Sequence, residues 1–491
     1  MGRLARYWPC FLSAILVQLA FTGDVLNGLG LSLAGFDLWP LLLFALVPFL
    51  MVLRGKDAKE AFRYGQAFGF LFCFFQLHWL EVLLNRMADN PIIAYLPFLL
   101  AVYMFSLVYG VGGKMIAFCW RIDKPWLIPG AWLLIELFRA YCPVLAFPWS
   151  VLATPTVNCI PIASMSFVGT IFLVSYFLVT CNVILAMIFQ GHAVARTLPG
   201  ILGVALGLAL GNFIASIPLQ LERDGIQTLI FQPGVNFSQA DSNTASDSFH
   251  LWLEQAYKAA RQTSAELIIL PEGVAVSKTD DAPDLGVDLR TSPALIFGGQ
   301  RGNGLRYQTA FAYDGNWQFA DKTRLVPFGE YVPMRILFGG IVSAFSGPTG
   351  DLTASDKLSF FQFKKFKVGP MICFESLFPE IAYRHANADV DMMVVLSIDD
   401  WFMDSSAPEQ LRAATIWRAI ETRKPIARCA STGYSMMITP HGDVMGEAPL
   451  QQEQLLTAEG VLREGGPFKG SIFVPFGIAL VSGAIMLRFR K

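Results

Sequence analysis

VGPMICFESLFPE, residues 368–380, runs apolar from Val368 to Ile372 and then changes character abruptly. The apolar part is strand-like, and a thiol, Cys373, stands at its end with Glu375 and Glu380 just beyond. Strand ends are where an α/β sheet presents its ligands. Two upstream stretches have the same design. LIILPEG (267–273) places Glu272 just past an apolar strand, and DKTRLVPFGEYVP (321–333) carries Lys322 and Glu330. A thiol needs a base or a positive field to act as a thiolate. A carboxylate can take its proton, and an ammonium can stabilise both the thiolate and a tetrahedral oxyanion. Glu272, Lys322 and Cys373 therefore compose a covalent acyl-transfer site without histidine.

Around these segments the chain alternates short apolar runs with helical patterns. Strands are expected over 226–232, 267–270, 294–298, 308–313, 366–373, 392–398 and 426–439, each rich in β-branched or apolar residues. Helical patterns cover 250–265 and 408–423. This alternation predicts an α/β domain over residues 218–466 with both sheet faces covered.

The flanks are different. Of the 491 residues, 54% are hydrophobic and only 15% charged, so much of the chain does not face water. Long apolar runs near 7–23, 38–53, 61–84, 92–117, 126–140, 161–189, 197–217 and 471–487 read as about eight membrane spans. Residues 1–217 are thus an N-terminal transmembrane bundle of about seven helices, and 467–491 a C-terminal transmembrane helix with a basic tail. The first run follows Arg3 and Arg6 but lacks a small-x-small cleavage site, so it is read as retained. Arg54, Lys56, Lys59, Arg121, Lys124, Arg196 and the tail fall in alternate loops and so on one side, which predicts cytoplasmic termini and an extracytoplasmic polar domain. A net charge of −1 gives no reason to expect nucleic acid. The 8 cysteines form no C-x-x-C pair and the histidines are scattered, so neither a disulfide framework, a metal site nor a cofactor is implied.

The three motifs resemble the Glu-Lys-Cys signature of the nitrilase superfamily. KTRLVPFGEYVP (322–333) and ICFESLFPE (372–380) are more specific and resemble the apolipoprotein N-acyltransferase family, its membrane-bound branch. LSIDDWF (396–402), RAIETRKPIARCASTGYS (418–435), FPW (147–149) and the order of spans extend the resemblance over nearly the whole chain. It implies an α-β-β-α sandwich on a membrane bundle in the bacterial inner membrane. It also implies a ping-pong reaction. Cys373 would take an acyl chain from a phospholipid as a thioester and pass it to the α-amine of a diacylated apolipoprotein. Glu272 would be the base, Lys322 the oxyanion stabiliser, and Glu330 and Glu375 their supports. Because donor and acceptor are both lipid-anchored, the active site is expected to face the bilayer. FQPGVNFSQADSN (231–243) lacks the tryptophan usual in the family at this place, with Phe237 as the candidate substitute.

Phe374, Phe237, Trp401 and Arg139 are the candidate substrate contacts. Arg139 and Glu136 lie three apart in an apolar run, so they are placed to pair, or Arg139 to meet a lipid headgroup. Trp79 and Trp149 read as interface anchors. Cys429, inside an apolar strand, reads as a core residue. Two other functions fit parts of the pattern: a membrane-tethered amidase acting on a small amide, and a non-catalytic scaffold or transporter.

Overall fold

Long apolar helices and short buried strands separate cleanly along the chain, and the computed structural model describes residues 5–21, 36–87, 91–143, 145–218, 225–236, 242–283, 285, 293–333, 351–402, 405–460 and 466–489. The chain divides into a helical unit, Met1–Ile217 with Gly470–Lys491, and a second unit, Pro218–Lys469.

In the helical unit, three helices among the described residues are long and apolar enough to cross a membrane: Tyr95–Arg121, Ser166–Phe189 and Val194–Ser216. Ala58–Gln76 and His78–Asn85 make a fourth if the pair, bent by 50°, counts as one span. The expectation of about eight spans is corrected on this point. The apolar runs near 7–23, 38–53, 126–140 and 471–487 are helical but short. One of their helices, Phe473–Arg488, has 16 residues. That rises about 24 Å against a hydrocarbon core of roughly 30 Å.

Prolines and polar side chains explain the breaks. Pro40 and Pro48 each open a new short helix, because proline suits the first helical turn and not the interior. Backbone freed in this way must find partners inside the bundle. Asn182 supplies two, accepting from Leu46 N at 2.8 Å and donating to Leu42 O at 2.8 Å. Ser13 Oγ accepts from Phe49 N at 3.0 Å. Basic loops converge at one end of this unit. Arg54 donates to Gln190 at 2.8 Å, Arg196 pairs with Asp123, and Lys124 lies over the Phe489 ring at 5.9 Å.

The second unit has thirteen strands among its described residues: β1 (Ile226–Gln232), β2 (Leu267–Ile269), β3 (Ala275–Val276), β4 (Ala294–Arg301), β5 (Tyr307–Tyr313), β6 (Trp317–Asp321), β7 (Phe361–Gln362), β8 (Lys367–Ile372), β9 (Met392–Ser397), β10 (Ile426–Ala430), β11 (Met436–Ile438), β12 (Val444–Glu447) and β13 (Gln454–Gly460). They form two sheets, ordered β13-β1-β2-β4-β5-β6, with β3 on β4, and β12-β11-β10-β9-β8-β7. The period of two along β1 sorts its side chains. Ile226 and Ile230 enter the core between the sheets with Ile296, Ile372, Val394 and Cys429. Leu229 and Phe231 point the other way, under Trp252 and Leu253 of the helix Ser242–Thr263. The helices Pro379–Asn387 and Ala407–Thr422 belong to the second sheet, which completes the expected α-β-β-α order.

One strand was expected over 426–439. The structure has two, antiparallel, with a turn at residues 431–435. Gly433 sits in that turn with no room for a side chain: a Cβ there would come within 1.8 Å of Asp399 Oδ2.

Candidate active site

The three expected active-site residues meet because their strands end together. Glu272 follows β2, Lys322 follows β6 and Cys373 follows β8. Ile372 is in register with Leu396, and Leu396 with Cys429, so Cys373 falls one step beyond the paired strands, beside Ser397. The backbone at Cys373 turns sharply. Its φ is +51°, a strained value for a residue with a Cβ, and a short 3-10 turn, Cys373–Leu377, starts there. Such a strand-to-helix elbow lifts a nucleophile off the sheet.

Lys322 is fully buried, and its Nζ lies 2.6 Å from Glu330 Oε1 and 3.8 Å from Glu272 Oε1. Its backbone is pinned on both sides, donating to Gln308 O at 2.8 Å and accepting from Ser355 N at 2.9 Å. Glu330 Oε2 accepts from Val326 N at 2.9 Å. Glu272 Oε2 accepts from Ile398 N at 3.0 Å. Gly298 on β4 leaves the space Glu272 occupies, since a Cβ there would meet Glu272 Cα at 2.6 Å.

Burial raises the Glu272 pKa to about 7, with Lys322 opposing and the Glu330 charge adding to the rise. Burial also pushes the Cys373 thiol up to about 12; the Glu272 charge adds to the rise and Lys322 works against it. Burial alone would lower Lys322, but the carboxylates of Glu330 and Glu272 outweigh it and keep the ammonium charged. A base poised near neutrality, a thiol beside it and a fixed ammonium can form and stabilise a covalent acyl adduct.

Glu375 does not face the reacting atoms. It ties two loops together. Oε2 accepts from Ile372 N at 2.8 Å, and Oε1 accepts from Thr323 N and Thr323 Oγ1 at 2.7 Å and from Arg324 N at 3.2 Å. Burial raises its pKa, but four donors and no acceptor favour the ionised form. Lys322 and Cys373 are thereby fixed against each other through one buried carboxylate. Glu380 adds an outer tie, 3.5 Å from Arg324.

The other candidates are dispersed. Phe374 is buried edge-on against Phe378, with centroids 5.2 Å apart. Trp401 is half-buried in the turn after β9. Phe237 lies outside the described residues. Arg139 is buried in the helical unit, donating to Tyr109 Oη and to Trp149 O at 2.7 Å each. Glu136 accepts from Trp132 Nε1 at 3.1 Å and from Leu152 N at 2.8 Å. The two side chains thus bond to other groups, and one partner of each is backbone in the non-helical stretch after Tyr141. Trp79 and Trp149 are buried against each other, 4.5 Å between centroids, so they are bundle core rather than anchors. All eight cysteines are free, and the Cys429 thiol, in the sandwich core, donates to Phe231 O at 3.2 Å.

Two buried arginines were not singled out from the sequence. Arg428 Nη2 lies 2.7 Å from Asp399 Oδ2, and Arg418 pairs with Glu421 at 2.8 Å while donating to Leu377 O at 3.0 Å. A charge inside the apolar strand IARCA was the available signal, because a buried charge calls for a partner.

Comparison with known proteins gives two family matches. Residues 28–184 match the apolipoprotein N-acyltransferase N-terminal domain, and residues 290–468 match carbon-nitrogen hydrolase. The chain is 28% identical over 504 aligned residues to apolipoprotein N-acyltransferase of Geobacter metallireducens, with 95% of each chain covered. It is 26% identical to the same-named protein of Pseudomonas syringae pv. tomato, with 88% of each covered. Among solved structures, a nitrilase-superfamily protein of Saccharomyces cerevisiae aligns with a TM-score of 0.39 at 19% identity, covering 49% of this chain and 92% of that one.

Proposed function

Because the chain belongs to the apolipoprotein N-acyltransferase family of the nitrilase superfamily, we propose that it moves an acyl chain from a phospholipid to an apolipoprotein through a thioester on Cys373. The observation that carries this reading is the convergence of Glu272, Lys322 and Cys373 at three strand ends, with Lys322 Nζ 3.8 Å from Glu272 Oε1.

The chemistry follows from the roles these groups can fill. Cys373 Sγ attacks the carbonyl carbon of the acyl ester as its proton passes to Glu272. The carbonyl oxygen gains the negative charge and Lys322 Nζ stabilises it. Collapse breaks the ester C–O bond, and the leaving oxygen takes the proton from Glu272. Lysophospholipid departs and a thioester remains. The α-amine of the acceptor's lipidated N-terminal cysteine then attacks the thioester carbonyl and gives its proton to Glu272. The C–S bond breaks, and the returning proton restores the thiol and the starting state.

The protein is a membrane protein, and its basic loop ends share one end of the helical unit. That clustering supports cytoplasmic termini in the inner membrane and an extracytoplasmic second unit. Both helical and hydrolase-type matches lie in one chain, which favours lipid acyl transfer over a tethered small-amide amidase or a non-catalytic scaffold.

The test is mass spectrometry of the detergent-purified chain after incubation with a phospholipid labelled in its sn-1 acyl chain. A hydroxylamine-sensitive adduct on Cys373, absent from Cys373→Ser and transferable to a diacylated lipopeptide amine, is the expected result. A folded wild-type protein that forms no adduct overturns the reading.

A further inference from the structure

Within LSIDDWF (396–402), Ser397 and Asp399 sit against the reacting atoms. Ser397 ends β9 and lies beside Cys373 in the parallel register of β8 and β9, within hydrogen-bond reach of the thiol. Ser397 Oγ donates to Asp399 Oδ1 at 2.5 Å, and Asp399 Oδ2 accepts from Arg428 Nη2 at 2.7 Å. Arg428 is itself committed, donating through Nε to Tyr434 O at 3.1 Å and through Nη1 to Thr415 Oγ1 at 3.3 Å. Ser397, Asp399 and Arg428 are all essentially without solvent exposure. Between Ser397 and Asp399, the Ile398 N–H holds Glu272.

A buried ion pair of this kind contributes little net stability compared with apolar packing, so its placement suggests another use. Here the pair fixes a three-residue stretch that touches both the thiol and its base. A hydroxyl has one proton and two lone pairs, and it rotates to suit its neighbours. We propose that Ser397 is a further catalytic hydroxyl, donating to Asp399 while Cys373 is a thiol and turned to the sulfur as negative charge develops there, with Asp399 and Arg428 as positioning residues. No atom is gained or lost in this rotation. Asp399 keeps its charge partner in Arg428 when the hydroxyl turns away. The groups facing the sulfur are Glu272, Lys322, Asp399 and Ser397, and of these Ser397 is the neutral one that can donate on demand.

The proposal deepens the reading of the site given above, and its test does not depend on the lipid substrate. The full-length protein in detergent is treated with iodoacetamide at fixed neutral pH and the alkylation rate of Cys373 is measured. Ser397→Ala is expected to slow alkylation about tenfold, the loss of one hydrogen bond to a charged sulfur. In phospholipid turnover, kcat is expected to fall in step while KM holds. Ser397→Thr keeps the hydroxyl and is expected to restore both rates. Asp399→Asn removes a charge that raises the thiol and weakens the hold on the Ser397 hydroxyl, so it is expected to speed alkylation. Val394→Ala, in the core between the sheets, controls for simple loosening and is expected to leave alkylation at the wild-type rate. Folded Ser397→Ala that alkylates and turns over at wild-type rates overturns the proposal, as does a Val394→Ala loss of the same size. Should Asp399→Asn not fold, the Ser397 pair of variants still decides. Wild-type protein that alkylates with the expected Ser397 dependence but takes no acyl chain would sink the acyl-transfer reading and leave this one standing.

Discussion

Glu272→Gln should make the protein more stable while removing its base, and the gain should depend on pH. Glu272 is 3% exposed, and its pKa is raised from the ordinary 4.5 of a glutamate to about 7. A carboxyl whose folded pKa lies above its unfolded one binds protons better when folded. Folding is therefore favoured below the unfolded pKa and progressively penalised as pH rises towards the folded one. Held ionised in the folded protein, the carboxyl costs about 3 kcal/mol at about 1.36 kcal/mol per tenfold change in proton affinity. Glutamine keeps an oxygen for the Ile398 N–H and carries no charge, so it escapes that penalty. Lys322 retains Glu330 at 2.6 Å, so the ammonium does not lose its nearest partner. The gain should be under about 1 kcal/mol at pH 5 and about 3 kcal/mol at pH 8. For a unit of this size that is a rise in melting temperature of roughly 6–12 °C at pH 8, shrinking towards zero as the solution is acidified. Thermal unfolding of wild type and Glu272→Gln in detergent across this pH range measures it, with adduct formation as the activity control. A gain that does not vary with pH, or a loss of stability at pH 8, would refute the account of Glu272 as a carboxylate held against its burial.

Glu330→Gln removes the ionised partner 2.6 Å from Lys322, and kcat for thioester formation should fall about a hundredfold with KM for the phospholipid nearly unchanged, as read from single-turnover and steady-state rates. Glu375→Ala strips the acceptor from Ile372 N, Thr323 N, Thr323 Oγ1 and Arg324 N together, and should cost about 3–5 kcal/mol in denaturant unfolding of the second unit. Arg139→Leu removes the buried guanidinium that donates to Tyr109 Oη and Trp149 O inside the helical unit, so thermal stability should drop by about 2–4 kcal/mol while iodoacetamide still alkylates Cys373 at the wild-type rate.

The sandwich was legible because its main strands are apolar and end in chemistry. Ile226–Gln232 was read to the residue, and β2, β4, β5, β8 and β9 within a few residues, since buried strands carry unbroken apolar runs. β6 was not read, although it delivers Lys322. WQFAD is short and half-exposed, so it lacks the pattern that marks a buried strand. β13 was missed because it is mostly exposed and mixed in polarity, and its pairing along β1 makes it a strand. The partnership of Glu330 with Lys322 was expected from family resemblance, but the Glu375 tie was not specified. Its four donors come from residues up to 52 positions away, and no local pattern encodes that. The span count failed through a different cause. Composition shows that a run is apolar, whereas length requires knowing where a helix stops and another begins, as at Pro40 and Pro48.

The two raised pKa values together decide how the nucleophile is made. Glu272 is raised to about 7 and Cys373 to about 12, and burial is the first cause of both. Moving the thiol proton to Glu272 removes the carboxylate charge that adds to the thiol's rise, but burial still disfavours the thiolate, so transfer before any bond forms is uphill and a standing thiolate is a minor species. The attack on a carbonyl must then run together with proton transfer, as Lys322 takes up the charge that moves from sulfur to oxygen. Such coupling predicts a normal solvent deuterium isotope effect on thioester formation. It also predicts a rate that is full above the Glu272 pKa and lost as pH falls through about 7, since only the ionised carboxyl is a base. A preformed thiolate would react with no isotope effect, and its acid limb would follow the thiol instead of Glu272. Pre-steady-state acylation in light and heavy water between pH 5.5 and 8.5 separates the two, and an absent isotope effect together with a limb unmoved by changes around Glu272 would show that the thiolate exists before substrate arrives.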